Sequence, residues 1–252
     1  MTIQLDEKVA VVTGGSRGIG RAIATKLGAA GATVVINYLR KATEADAVAR
    51  EIRAAGGKAL TVRGNVAEDA DLDRMFRVIG DELGRADILV SNAASGVLRP
   101  GLEISRRHWQ WTMEINAGSL LPLVQRTAPL MQDRGGHVIA VSSHGAVRAI
   151  PNYTAVGASK AALEAVVRHL AAELAPRGIQ VNAVSAGVVE TDALRHFPNR
   201  EEILERTRAR TPAGRLTTPE DVADAVLFLV SPLSQMIHGQ TLVVDGGYGI
   251  LA

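Results

Sequence analysis

Seven short runs of β-branched and aliphatic residues, separated by longer stretches of helical periodicity, constrain this chain more than any other feature. The runs are Val9–Thr13, Thr33–Asn37, Ala59–Arg63, Ile88–Ser91, His137–Val141, Gln180–Val184 and Thr241–Val244. Between and after them lie Gly18–Ala30, Glu44–Ala55, Leu72–Leu83, Trp109–Gln132, Ala155–Leu174 and Glu220–Leu229, each with apolar residues at helical spacing. A strand that is apolar at nearly every position has both faces covered, and strand–helix alternation covers them with helices. The expected fold is therefore α/β, a doubly wound parallel sheet of about seven strands with helices on both faces.

No linker rich in Pro, Gly or Ser divides the 252 residues and no internal repeat is present, so residues 1–252 read as a single domain. The least regular stretch, Gly187 to Pro219, carries three prolines and much of the late charge. It reads as a substrate-covering segment, with a plain surface excursion as the alternative.

Composition removes several classes. The absence of cysteine excludes a disulfide-stapled module, thiol chemistry and cysteine-based zinc sites. Net charge is +2, and basic residues alternate with acidic ones, so no run tracks a nucleic-acid backbone. The six histidines have no metal-ligand spacing, and no metal is expected. Residues Met1 to Lys8 lack the apolar core of an export signal, and apolar stretches such as Val226 to Val230 are far short of the roughly 20 residues that span a bilayer. A soluble, cytoplasmic protein is expected.

Directly after the first run comes Thr13-Gly14-Gly15-Ser16-Arg17-Gly18-Ile19-Gly20, and Arg21 to Ala30 continue as a helix. Glycines at a strand-to-helix turn let a pyrophosphate approach the backbone, and the helix N-terminus meets its charge; an ordinary structural turn is the alternative. The second run ends Ile36-Asn37-Tyr38 with no acid to grip a ribose 2′-hydroxyl, and Arg40 follows. Arg17 and Arg40 are placed to pair with a 2′-phosphate, so NADP(H) is expected over NAD(H), against the plainer reading of Arg40 and Lys41 as a solvated helix start.

Taken with Asn92-Ala93-Ala94, Asn116, Ser142-Ser143, Lys160 and Asp245-Gly246-Gly247, these motifs resemble the short-chain dehydrogenase/reductase family over nearly the whole chain. The resemblance implies a Rossmann-type fold and a homotetramer. It implies Asn65 and Val66 flanking adenine and Asn92 with Ala93 beside the nicotinamide ribose. It places Gly187, Val189 and Thr191 at the carboxamide and Lys160 on the ribose hydroxyls. Ala186-Gly187 stands where the family often has Pro-Gly, which loosens that loop but keeps its backbone donors.

One departure carries the functional reading. The family's usual Tyr lies four residues before the Lys, where this chain has Val156; its nearest tyrosine is Tyr153, seven before Lys160. On a helix both spacings keep Tyr and Lys within about 40° of one face, but Tyr153 stands about 4.5 Å nearer the N-terminus. In ketone reduction the charged oxygen is bonded to the carbon that receives hydride. In reduction of an α,β-unsaturated thioester, hydride goes to the β-carbon and charge gathers on a more distant carbonyl oxygen, which suits a displaced donor. Lys160 is expected to lower the phenol pKa from about 10.

The spacing resembles the enoyl-acyl-carrier-protein reductases. The strings Ser91-Asn92-Ala93-Ala94-Ser95-Gly96-Val97, Asn152-Tyr153-Thr154-Ala155-Val156-Gly157 and Thr191-Asp192-Ala193-Leu194-Arg195-His196-Phe197-Pro198-Asn199-Arg200 are similar to the NADPH-dependent type III bacterial branch. The substrate implied is an acyl thioester on acyl carrier protein, with Tyr153 and Lys160 catalytic. Ser143 is either a substrate-oxygen ligand or a bystander hydroxyl, and Asn116 either holds water in a bent helix or bonds to backbone. A carbonyl or tailoring reductase and a catalytically silent dinucleotide-binding protein are the rival readings. His196 and Phe197 either touch an acyl chain or pack at a helix end. Of Trp109 and Trp111, two residues apart, one is expected in the core or a subunit contact.

Overall fold

The structure is a computed structural model that describes residues 2–131, 134–191 and 200–251. Its centre is a seven-stranded sheet in the order β3-β2-β1-β4-β5-β6-β7, parallel throughout. The strands are β1 Val9–Val12, β2 Thr33–Tyr38, β3 Lys58–Arg63, β4 Ile88–Ser91, β5 Gly136–Ser143, β6 Ile179–Ala186 and β7 Thr241–Val244. The helices are α1 Gly18–Ala29, α2 Ala42–Ala54, α3 Asp69–Leu83, α4 Arg106–Met113, α5 Leu120–Met131, α6 Thr154–Leu174, α7 Arg200–Arg210 and α8 Pro219–Leu229.

Alternation along the central strands feeds two separate cores, while edge strand β7 is left largely exposed. In β1, Ala10 and Val12 join a layer with Ile23 and Leu27 of α1, Ile52 of α2 and Val226 of α8. Val9 and Val11 point the other way, into a layer with Met75 and Ile79 of α3, Leu123 of α5 and Leu163 and Val167 of α6. Side chains of successive strand residues point to opposite faces, so covering both faces requires the continuous apolar runs seen in the sequence. Strand order reverses direction between β1 and β4, which leaves a crevice at their C-terminal ends.

The single helix expected over Trp109–Gln132 is instead two helices joined by a π-helical turn, Glu114–Gly118. Ser119 N–H bonds back five residues to the Glu114 carbonyl at 2.8 Å, so one extra residue is accommodated and Asn116 is turned inward and buried. The first helix also starts earlier, at Arg106, because the Ser105 hydroxyl caps it by accepting from His108 N–H at 3.2 Å. Neither indole enters the core: Trp109 and Trp111 are 40% and 44% exposed, since Thr112 supplies the buried face of this short helix. The stretch Gly187 to Pro219 is more regular than the sequence suggests, for it contains α7. Its residues 192–199, with His196 and Phe197, lie outside the described residues. No helix is long and apolar enough to cross a membrane among the described residues.

Candidate active site

The glycine-rich turn is held by three strand ends. Thr13, buried at the end of β1, donates its hydroxyl to Val90 O at 3.2 Å and accepts from the Asn92 and Ala93 amides at 2.9 and 3.0 Å. The Asn92 side-chain amide donates back to Thr13 O and Gly14 O at 2.9 and 3.2 Å. From β2, buried Asn37 receives Gly14 N–H at 3.4 Å on its side chain and Gly15 N–H at 3.0 Å on its carbonyl, and donates to Gly64 O at 3.0 Å.

Two glycines have specific reasons. Gly14 has φ +61°, the left-handed region, and a Cβ on Gly20 would lie 2.3 Å from Gly14 O. The first turn of α1 thus sits directly on the loop. Ser16 is buried, Arg17 is the exposed N-cap residue, and no side chain caps α1 and no acid stands in its first turn. The α1 amides are left for an external anion, and the residues here fit a dinucleotide pyrophosphate. Ile19 packs partly buried against the α1 layer.

Other expected nucleotide contacts gather around this end. A Cβ on Gly18 would meet the Thr191 methyl at 3.4 Å, Val189 pairs with Thr217, and Gly187 N–H bonds to Val244 O at 2.9 Å. Val66 is buried, while Asn65 receives Ala67 N–H at 3.2 Å on its side chain and donates its own N–H to Asp71 at 2.8 Å. Arg40 is exposed just after β2. Lys41, its neighbour, pairs with Glu44 at 2.9 Å.

The residues expected to be catalytic meet where β5 faces α6. Tyr153 is not within the helix but at its N-cap, with φ −111°, and its carbonyl accepts from Gly157 N–H at 2.6 Å. Its ring lies against Gly145 and Gly157: a Cβ on Gly145 would be 2.4 Å from Tyr153 Cε1, and one on Gly157 would be 2.7 Å from Gly145 O. The phenol is therefore turned inward, its oxygen 3.4 Å from Ser143 Oγ. Val156, at the family's usual tyrosine position, is buried and fills the space that a Cβ on Gly96 would occupy, 2.4 Å from its Cγ2.

Asn116 bonds to backbone and side chain alike. Its oxygen accepts Ser95 N–H at 2.8 Å and its amide donates to Ser159 Oγ at 2.9 Å, so it ties the loop after β4 to α6. Lys160, only 6% exposed, donates Nζ to Val141 O at 2.8 Å. An ammonium has three donors, so two remain for ligand hydroxyls.

The electrostatics correct one expectation. Burial raises the Tyr153 phenol above its ordinary value, with the Ser143 hydrogen bond opposing, and Lys160 does not lower it. The reason is desolvation: with the phenol buried, the cost of taking its charged form out of water sets the direction. Burial also pushes Lys160 down to about 8, against the field of Glu164.

Sequence reading placed Thr13 and Asn37 at the turn but gave their side chains no role in it, and it missed Glu164, whose carboxylate accepts Ser142 Oγ–H at 2.5 Å. The available signal for Glu164 was an acid on the buried face of a helix, one turn from Lys160. Sequence reading also missed His144, whose Nε2 lies 3.0 Å from Asp245 and joins the ends of β5 and β7. No group of three or more His, Cys, Asp or Glu is placed to hold a metal among the described residues.

A turn built for a dinucleotide facing a Tyr, Lys, Ser and Asn group defines a nicotinamide-dependent oxidoreductase site. The family profile described as "Enoyl-(Acyl carrier protein) reductase" matches residues 14–249. The 1-cyclohexenylcarbonyl-CoA reductase of Streptomyces collinus is 38% identical over 97% of this chain and 88% of its own. The 3-oxoacyl-[acyl-carrier-protein] reductase of Synechocystis is 37% identical over 96% of this chain and 97% of its own. Among solved structures, a 7 alpha-hydroxysteroid dehydrogenase complexed with NADH and 7-oxo glycochenodeoxycholic acid superposes with TM-score 0.93 at 35% identity, covering 98% of this chain and 96% of that one. The chain belongs to the short-chain dehydrogenase/reductase family of oxidoreductases, which use a nicotinamide dinucleotide.

Two outcomes follow. Gly145→Ala should displace the Tyr153 ring and lower kcat by at least about 10-fold while leaving the circular dichroism spectrum intact, by the cost of misplacing a reacting group by about 1 Å. An unchanged kcat would show that the ring is not seated there. Lys160 has a lowered folded pKa, so from about pH 8 to about 10 the unfolded chain holds a proton that the folded one has lost. Stability relative to Lys160→Met should therefore rise with pH across that window, as measured by urea unfolding.

Proposed function

We propose that this chain is an NADPH-dependent enoyl-thioester reductase acting on an acyl chain carried by acyl carrier protein. The observation that carries the reading is the placement of the phenol: Tyr153 stands at the N-cap of α6, turned inward beside Ser143, while Val156 is sealed in an apolar seat. The relative named for 1-cyclohexenylcarbonyl-CoA supports it, because that name describes a thioester whose double bond is conjugated with its carbonyl.

NADPH when bound supplies the hydride, which on this reading goes to the substrate β-carbon. The protein's work is on the oxygen side. Burial keeps the Tyr153 hydroxyl protonated at neutral pH, so it serves as a hydrogen-bond donor to the thioester oxygen as enolate charge gathers there. Ser143 orients that hydroxyl, and Lys160 offers its two remaining donors to the ribose hydroxyls. Asn116 and Ser95 fix the loop after β4 against α6. On this reading the segment 187–219 covers the substrate, and its described residues include α7.

The nucleotide is read as NADPH because Arg17 and Arg40 are exposed around a β2 end that carries Asn37 and no acid. Residues Trp109, Trp111 and Leu121 leave apolar surface exposed, which supports a homotetramer as the assembly. The cytoplasm is the proposed compartment.

One observation favours a second reading, reduction of a 3-oxoacyl thioester. Ser143 lies within 3.4 Å of the phenol, where a serine also holds a ketone oxygen, and a 3-oxoacyl reductase is among the relatives. Paired assays separate them. Crotonyl thioester should be reduced well above acetoacetyl thioester, and comparable or faster turnover of the keto substrate would sink the enoyl assignment. Tyr153→Phe should remove at least about 2 kcal/mol of transition-state stabilisation, read from kcat/KM. For the nucleotide, Arg40→Ala should narrow a preference for NADPH over NADH; equal use of both before and after the change would refute the arginine reading.

A further inference from the structure

We propose that Glu164 is a positioning residue for Lys160: its buried carboxylate, tethered by Ser142 one helical turn away, supplies a counter-charge to the ammonium without binding it directly. The inference rests on the family's dinucleotide chemistry and not on the choice between enoyl and keto substrates.

Three consecutive residues of β5 each hold a different part of α6. The Val141 carbonyl accepts from Lys160 Nζ at 2.8 Å, the Ser142 hydroxyl donates to Glu164 Oε1 at 2.5 Å, and the Ser143 hydroxyl lies 3.4 Å from the Tyr153 oxygen. Lys160 and Glu164 are separated by four positions, which places them on one helix face. Both are nearly inaccessible, 6% and 7% exposed, yet no ion pair joins them. Burying one charge without a partner is costly, so two opposite charges buried a turn apart each make the other tolerable. The tether matters as much as the charge. A carboxylate free to close on Lys160 would consume the donors that a ligand needs, and Ser142 holds it back against the strand.

The other ionisable groups on elements packed against α6 do not do this. Among the described residues β6 carries no ionisable side chain, and His144 pairs with Asp245. Glu114 of the π-helical turn and Arg106 and Arg107 of α4 are exposed, and His108 stands on the same short helix. Arg126 of α5 pairs with Asp69 and Asp73, His137 lies at the far end of β5, and Tyr153 is neutral. Glu164 is the group whose field raises the Lys160 pKa against burial.

The chain has five lysines, so the Lys160 ammonium is resolvable by 13Cε-lysine NMR titration, with Lys160→Arg to assign it. Glu164→Gln should lower the Lys160 midpoint by about one pH unit, the low end of the effect of a nearby opposite charge. Glu164→Asp should restore most of it. Ser142→Ala should move the midpoint the other way, upward, because the released carboxylate closes on the ammonium. The pH at which NADPH affinity declines, followed by tryptophan fluorescence, should move in parallel. An unchanged midpoint in Glu164→Gln, or the same direction of shift in both variants, would overturn the proposal. If Glu164→Gln loses the native circular dichroism spectrum, the Ser142→Ala shift alone decides. Failure here leaves the crotonyl and acetoacetyl comparison untouched.

Discussion

The junction between the end of β5 and the start of α6 is the constraint on which the site depends. Hydrogen bonds from one strand end hold the N-cap tyrosine, a lysine two turns on and a glutamate a turn beyond that. The lysine and glutamate bonds are buried, so leaving either unmade would carry a desolvation cost of about 1–3 kcal/mol, while the partly buried Ser143–Tyr153 contact carries less. That cost is what fixes the helix along its axis against the strand. Tyr153 is then placed by packing rather than by helix geometry: its ring occupies room left by Gly145 and Gly157, and Val156 takes the room left by Gly96. Position and chemistry are coupled, since the same burial that fixes the phenol keeps it protonated, and the same burial draws down the lysine.

The nucleotide end follows a similar logic. Thr13, Asn37 and Asn92 spend their polar groups on the backbone of the turn, so the loop is preformed before any ligand arrives. A preformed loop spares the ordering entropy otherwise lost on binding. The α1 N-terminus, without a side-chain cap, is the part left open.

Much of this was legible in the sequence because it rests on periodicity and glycine. Apolar runs such as Val9–Val12 and Ile88–Ser91 marked the strands, and the turn at Gly14 to Gly20 marked the crevice, since neither signal needs tertiary information. What the sequence hid is contact chemistry. The π-helical turn at Glu114–Gly118 leaves no trace in hydrophobic spacing, because one added residue in a helix looks like ordinary drift of the apolar face. The direction of the Tyr153 pKa was hidden too. Proximity to Lys160 in sequence suggested a lowered value, whereas the phenol's burial raises it, against the opposing Ser143 hydrogen bond. Ser142 and Ser143 also read as residues after a strand, yet they are its last two and point their hydroxyls at different parts of α6.

The central claim is that an N-cap phenol serves an oxygen remote from the carbon receiving hydride. Tracing label from NADPH deuterated at C4 into crotonyl thioester tests it most directly, with the product analysed by NMR. The account predicts one deuterium on the β-carbon of a saturated butyryl thioester and a solvent proton on the α-carbon. Deuterium found solely on the carbinol carbon of a hydroxyacyl product from acetoacetyl thioester, with crotonyl thioester left unlabelled, would contradict it.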